Sequence, residues 1–174
     1  DLFIQTGSSL EYSKSNDAQK EKNICKPNSF YGKVKFKASR LLIKDKRFPK
    51  YIILRPYQIF GPHQKFDRLI PFVIKNSLKG RNFNCSAGIQ ERDFLFVEDF
   101  NLLIKNILKC KNIESGIYNV GSGKPISVKK IIKIINKSIG KGTPIFGSAR
   151  MRKDESKYLF PDISKVKKSF KWSP

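Results

Sequence analysis

Apolar and polar positions along the chain follow two alternating periods. Leu2 to Thr6 is a short apolar run that reads as a buried strand, ended by the polar turn Gly7-Ser8-Ser9. Residues 13–28 are polar and lysine-rich and read as a loop ending in Cys25-Lys26-Pro27-Asn28. From Phe30 to about Lys46 the period becomes helical, with Val34, Ala38, Leu41 and Leu42 on one stripe and Ser29 placed as the N-cap. Tyr51 to Arg55 is a second apolar strand stopped by Pro56, and Gly61-Pro62 is a turn. Leu69 to Leu78 reads as a helix that tolerates Pro71 in its first turn. A strand follows over Arg92 to Val97, then an amphipathic helix over Asp99 to Leu108, begun by Glu98. Ile117 to Val120 is a short strand, and Ser127 caps a helix carrying Val128, Ile131, Ile132, Ile134 and Ile135. Thr143 to Phe146 is strand-like, Arg150 to Lys157 is charged loop, and Asp162 to Phe170 is a last helix with Asp162 or Ser164 near its cap. Gly121-x-Gly123 is too short for a phosphate loop and reads as a turn. This alternation of strands and helices predicts an α/β fold.

Composition changes that picture little. A 39% hydrophobic content over 174 residues supports a packed core of about one domain. The net charge of +22 would suit a nucleic-acid binder, but the excess is 28 Lys against 8 Arg, spread along every segment. Specific nucleic-acid surfaces cluster charge and favour Arg, so a solvated lysine surface that draws in an anionic substrate is preferred. Cys25, Cys85 and Cys110 fit neither a zinc site nor a disulfide framework, which points to a reducing, cytoplasmic setting. No apolar run is long enough for a membrane helix, and His63 has no partners for a metal site or a hydrolase triad. The chain opens inside a strand-like run without an initiator Met or a secretory leader, and is read as a fragment.

The candidate chemistry is a Tyr-x-x-x-Lys pair, Tyr31 and Lys35. On a helix these side chains lie one turn apart on one face. The ammonium would favour the tyrosinate, so the phenol could exchange a proton with a sugar hydroxyl while hydride moves. With six Tyr and about one residue in six a lysine, roughly one such pair is expected by chance. What raises it above coincidence is the Pro27-Asn28-Ser29-Phe30 lead-in and the strand-ending Ser8, 23 residues upstream of Tyr31.

Six segments in order carry a resemblance to a known family: Phe3 to Tyr12, Pro27 to Lys35, Ile53 to Pro62, Gln90 to Asp99, Tyr118 to Gly123 with Ser127, and Asp162 to Pro174. Together the chain resembles the C-terminal part of an extended short-chain dehydrogenase/reductase, the NAD-dependent epimerase/dehydratase group. That resemblance implies the C-terminal part of a Rossmann-type doubly wound parallel sheet with a small mixed α/β substrate-binding domain. Residues 1–62 would complete the nucleotide-binding domain and 63–174 would form mainly the substrate domain, with 92–110 returning to the first. It implies NAD, or NADP, as cofactor and a nucleotide-diphosphate sugar as substrate. Tyr31 would be the acid/base, Lys35 its tuner and ribose ligand, and Ser8 the supporting hydroxyl. Pro56 and Tyr57 would lie beside the nicotinamide. Gln58, Leu69, Phe83, Arg92 and Arg152 would contact the substrate, with the two arginines on the diphosphate. A homodimer through the Tyr-Lys helix is also implied.

Three departures narrow the expectation. The family's Gly-x-x-Gly-x-x-Gly loop, which seats the cofactor diphosphate, does not occur in these residues, so an N-terminal half of the same enzyme is the expected partner. Ser9 and Leu10 stand where the family's 4,6-dehydratases carry Asp-Glu, which leaves epimerase or 4-keto-reductase. Gln58 stands where many members have Asn, and Phe170-Lys171 replaces Leu-Gly. A non-catalytic remnant and a basic binding module are the alternatives.

Overall fold

The computed structural model describes residues 1–151 and 155–174. The first sheet is built from three short, mainly apolar runs. Strands β1 (Leu2–Thr6), β2 (Lys50–Pro56) and β6 (Gly116–Val120) are parallel, in the order β1-β2-β6. Thr6 pairs in register with Leu54, and Pro56 with Val120, so the carboxyl ends of the strands lie side by side. Between β1 and β2 runs α1 (Phe30–Lys44). Its start is fixed by Ser29, whose hydroxyl accepts the Gly32 N–H at 3.0 Å. It ends two residues short of the expected Lys46, where Asp45 caps it.

One face of this sheet packs on α3 (Val97–Lys109) and α5 (Ser164–Phe170), with Leu54, Leu103, Ile107, Tyr118, Val166 and Trp172 at the centre. Trp172 closes the core, and its indole N–H is satisfied by the Asp99 carbonyl at 2.9 Å. The first core therefore draws on β6 and the C-terminal helix as well as on residues 92–110. At α5 the N-cap is Ile163; Asp162 instead accepts the Ser164 N–H at 2.8 Å.

A second core lies between α2 (Leu69–Leu78) and α4 (Val128–Ile139), with Val73, Phe83, Cys85, Val128 and Ile132 buried. Around it run short strands, of which those over Glu91–Phe96 and Thr143–Phe146 match the expected ones. Strand β4 (Asn82–Cys85) pairs in parallel with β8 (Thr143–Phe146). Strand β5 (Glu91–Phe96) is flanked by β3 (Gln58–Phe60), β7 (Pro125–Ser127) and β9 (Tyr158–Leu159). Ser127 caps α4 as expected, accepting the Lys130 N–H at 3.2 Å, and Gly140 ends it in the left-handed region that favours glycine.

Gly32 sets how closely α1 approaches β1. A Cβ there would collide with the Leu10 carbonyl, so only glycine lets the first turn of α1 lie against the turn after β1. Gly32→Ala is expected to cost about 1–3 kcal/mol, seen as a lower urea midpoint with an unchanged slope.

Candidate functional site

The turn after β1 is a single 3-10 turn, Ser9–Glu11, rather than a simple polar loop. Ser8 is its N-cap: the hydroxyl accepts the Leu10 N–H at 3.2 Å, and the Ser8 N–H donates to Glu11 Oε1 at 2.9 Å. This reciprocal pairing is a capping box. Because Ser8 Oγ already accepts, its own hydrogen is left to donate to a bound oxygen.

Tyr31 stands in the first turn of α1 and is 53% exposed, so its phenol is open to a ligand. The Lys35 Nζ lies 5.7 Å from the centre of the Tyr31 ring and donates to the Thr6 carbonyl at 2.8 Å. Lys35 thus ties the helix to the end of β1, two residues before Ser8. Gly32, next to Tyr31, meets Leu10, two residues after Ser8. These contacts bring the segments carrying Ser8, Tyr31 and Lys35 to one corner, at the carboxyl ends of parallel strands where open α/β sheets bind ligands.

Beneath Ser8 lies a polar network that sequence reasoning missed. Glu11 and Arg55 are an ion pair with side chains 0% and 1% exposed and N···O 2.8 Å. Burial works against charge on Arg55, but Tyr12 and Glu11 outweigh it and raise its pKa. The guanidinium lies 4.4 Å from the centre of the Tyr12 ring, so its one unpartnered nitrogen, Nη1, belongs to a cation held against an aromatic face. Burial pushes the Tyr12 phenol up to about 12, with Arg55 pulling the other way, so it stays protonated and donates to Asn119 Oδ1 at 2.8 Å. Asn119 in turn donates to the Gln19 carbonyl at 2.8 Å. Two signals could have found this. Ser8-x-x-Glu11 has capping-box spacing, and a lone arginine inside the apolar run Ile52-Ile53-Leu54-Arg55 demands a buried partner.

The remaining candidates divide. Gln58 and Arg92 line two adjoining cavities of about 340 and 270 Å³ that share a mouth. Leu69 lines the larger one. Phe83 does not: its ring is buried, edge-on to Phe72 at 5.8 Å, while its neighbours Asn84 and Cys85 reach the cavity wall. Tyr57 is buried, its hydroxyl donating to Gln19 Oε1 at 2.7 Å, and burial raises its pKa strongly. Pro56, before it, ends β2. Arg152 lies outside the described residues. Arg92 is buried and bonded to Glu155 Oε1 at 2.8 Å; burial lowers its pKa and the carboxylate offsets part of that. Among the described residues no group of acidic, His or Cys side chains could hold a metal ion, and no helix is long and apolar enough to cross a membrane. All three cysteines are free thiols.

A parallel sheet whose carboxyl ends carry the Ser8, Tyr31 and Lys35 segments, beside a cleft in a smaller α/β layer, is part of a Rossmann-type fold. The chain belongs to the NAD dependent epimerase/dehydratase family, whose model matches residues 1–121. Among similar proteins, the CDP-abequose synthase of Salmonella muenchen is 31% identical over 120 residues, covering 67% of this chain and 41% of the relative. The UDP-glucuronate 4-epimerase of Thermodesulfobacterium geofontis is 32% identical over 124 residues, covering 70% and 38%. The crystal structure of the Bacillus cereus UDP-glucuronic acid 4-epimerase, in complex with UDP-glucuronic acid and NAD, superposes with a TM-score of 0.89 at 29% identity. It is matched over 100% of this chain and 56% of its own. The chain thus spans about half the length of the relatives it matches. NAD is bound in the Bacillus cereus structure and in other similar solved structures.

Proposed function

We propose that these residues form the catalytic-tyrosine and substrate-binding half of an NAD-dependent enzyme that epimerises or reduces a nucleotide-diphosphate sugar at its 4-position. The observation that carries this is the corner where Lys35 bridges Tyr31 to the end of β1 beside the capped Ser8. Bound NAD would supply hydride acceptance and return. Tyr31 removes or returns the proton on the sugar hydroxyl, and Ser8 donates a hydrogen bond to the same oxygen. Lys35 holds the tyrosine and a ribose hydroxyl. Pro56 and Tyr57 border the nicotinamide, while Gln58, Leu69 and the strand around Phe83 border the substrate, with Arg92 and Arg152 toward its phosphates.

The residues present fit the nicotinamide-ribose end of the cofactor only. Among the described residues no strand pairs with the outer edge of β1, where Phe3 is 40% exposed and rests on Phe48 with ring centres 4.7 Å apart. An unpaired, apolar strand edge suits an upstream half that carries the glycine loop. Phe30, Val34 and Leu41, exposed on α1, suit a helix-paired homodimer. Those two surfaces and the two adjoining cavities favour an enzyme half over a nucleic-acid binder.

The test is a longer protein that includes the upstream half, assayed with NAD and UDP-, dTDP-, GDP- and CDP-sugars. A C4-inverted sugar as product identifies an epimerase. Consumption of NADH with a 4-keto-sugar identifies a reductase. Either would place the protein in sugar-nucleotide supply for polysaccharides. No turnover with any of them would overturn the proposal.

A further inference from the structure

Helix α2 is apolar on two faces. Val73 and Ser77 turn inward, and Leu69 and Phe72 pack against the second core. On the other side Ile70, Ile74 and Leu78, four residues apart, form one ridge along the helix. Ile74 and Leu78 are exposed, Leu78 by 63%. The ridge lines an open groove of about 990 Å³, larger than either cavity of the candidate site. Phe60 and Phe96, with ring centres 5.5 Å apart, and the exposed Phe66 add aromatic surface to it. A contiguous apolar surface of this kind marks a place where something binds.

The groove is also cationic. Lys65, Lys75 and Lys79 line it, and among the described residues no carboxylate does. None of the three lysines forms an ion pair among the described residues. Lys75 Nζ lies 4.6 Å from the centre of the Phe66 ring, so charge and aromatic face meet at one place. Asp67, next to Phe66 in sequence, lines the larger cavity of the candidate site instead. These features select the occupant. A ridge at four-residue spacing interdigitates with the side chains of a second helix. Unpaired lysines ask for carboxylates on that helix's flanks. A phosphate backbone gains nothing from the apolar lining, and a flat bilayer does not follow a recess. A second copy would bring its own net charge of +22 against the same lysines.

We infer that this groove docks an acidic amphipathic helix of a partner protein. The partner's apolar stripe lies along Ile70, Ile74 and Leu78, and its carboxylates meet Lys65, Lys75 and Lys79. Phe60, Gln64 and Ile70 line both the groove and the larger cavity, so the partner sits back to back with the candidate cleft. The inference does not depend on which reaction the cleft performs.

The experiment is fluorescence anisotropy of the 174-residue chain with a labelled helical peptide. The peptide, of about 18 residues, carries leucine at three- and four-residue spacing on one face and glutamate on both flanks. A Kd of about 1–100 μM is expected, weakening as salt rises. The same peptide with lysine in place of glutamate should bind at least about tenfold more weakly. Leu78→Glu, and Lys75→Glu combined with Lys79→Glu, should each weaken the acidic peptide about tenfold or more. These positions are exposed and glutamate is a good helix former, so unchanged circular-dichroism melts are expected. Leu108→Glu, at an exposed leucine on α3 outside the groove, is the control and should stay within about twofold. Equal binding of the two peptides, no binding of either, or unchanged binding in Leu78→Glu overturns the inference. Loss of peptide binding in a longer protein that includes the upstream half also overturns it, making that half the occupant. Vesicles of phosphatidylcholine and phosphatidylserine that bind the chain but not Leu78→Glu, while the acidic peptide does not bind, would overturn it in favour of a membrane.

Discussion

Replacing Tyr31 by phenylalanine in the longer, NAD-binding protein should lower kcat by about 100- to 10,000-fold while leaving the KM for the nucleotide sugar within a few-fold. On the proposed reading the Tyr31 phenol moves the proton, so its loss takes away chemistry rather than binding. Tyr31 is half exposed and its phenol has no hydrogen-bond partner among the described residues, so phenylalanine should fit the same place without loss of stability. Lys35→Met should give a smaller loss of kcat, together with a weaker hold on the ribose, because Lys35 also anchors on the Thr6 carbonyl. Unchanged kcat in Tyr31→Phe would remove the catalytic assignment.

The largest effect on stability is expected at Glu11. Glu11→Ala leaves the Arg55 guanidinium buried without its carboxylate and frees the Ser8 N–H. Breaking a buried ion pair from one side costs about 3–5 kcal/mol, a large part of the roughly 5–15 kcal/mol that holds a domain folded. Urea unfolding should show a steep drop in midpoint. Removing both partners together, as Glu11→Leu with Arg55→Met, should recover much of that loss, because the buried charge disappears with its partner. If Glu11→Ala unfolds within about 1 kcal/mol of the unaltered chain, the pair is not the strut described here.

How much of this could be read from the sequence depended on whether the determining contacts were local. The strands at Leu2–Thr6 and Tyr51–Arg55 and the helices begun by Ser29 and Ser127 announced themselves, because apolar period and N-cap act within a few residues. The strands Gln58–Phe60, Asn82–Cys85, Pro125–Ser127 and Tyr158–Leu159 are two to four residues long and owe their existence to distant partners. Of these only Asn82-Phe83-Asn84-Cys85, with its alternately buried side chains, carried a legible period of two.

The site divided the same way. Tyr31 and Lys35 share a helix, so their proximity was written in their spacing. The closeness of that helix to Ser8 depends on Gly32 meeting Leu10, and the bracing of Ser8 depends on Arg55, 44 residues from Glu11. Neither could be seen without the fold.

The most direct measurement of the central claim follows the nicotinamide in the longer protein loaded with NAD and mixed with nucleotide-diphosphate sugars. Oxidation of the sugar hydroxyl at the Tyr31 corner should produce reduced nicotinamide, transiently for an epimerase, with a C4-inverted sugar as product. A reductase should instead consume reduced nicotinamide when given a 4-keto-sugar. An absorbance that stays flat with every UDP-, dTDP-, GDP- and CDP-sugar, in either direction and with no sugar product formed, would contradict it.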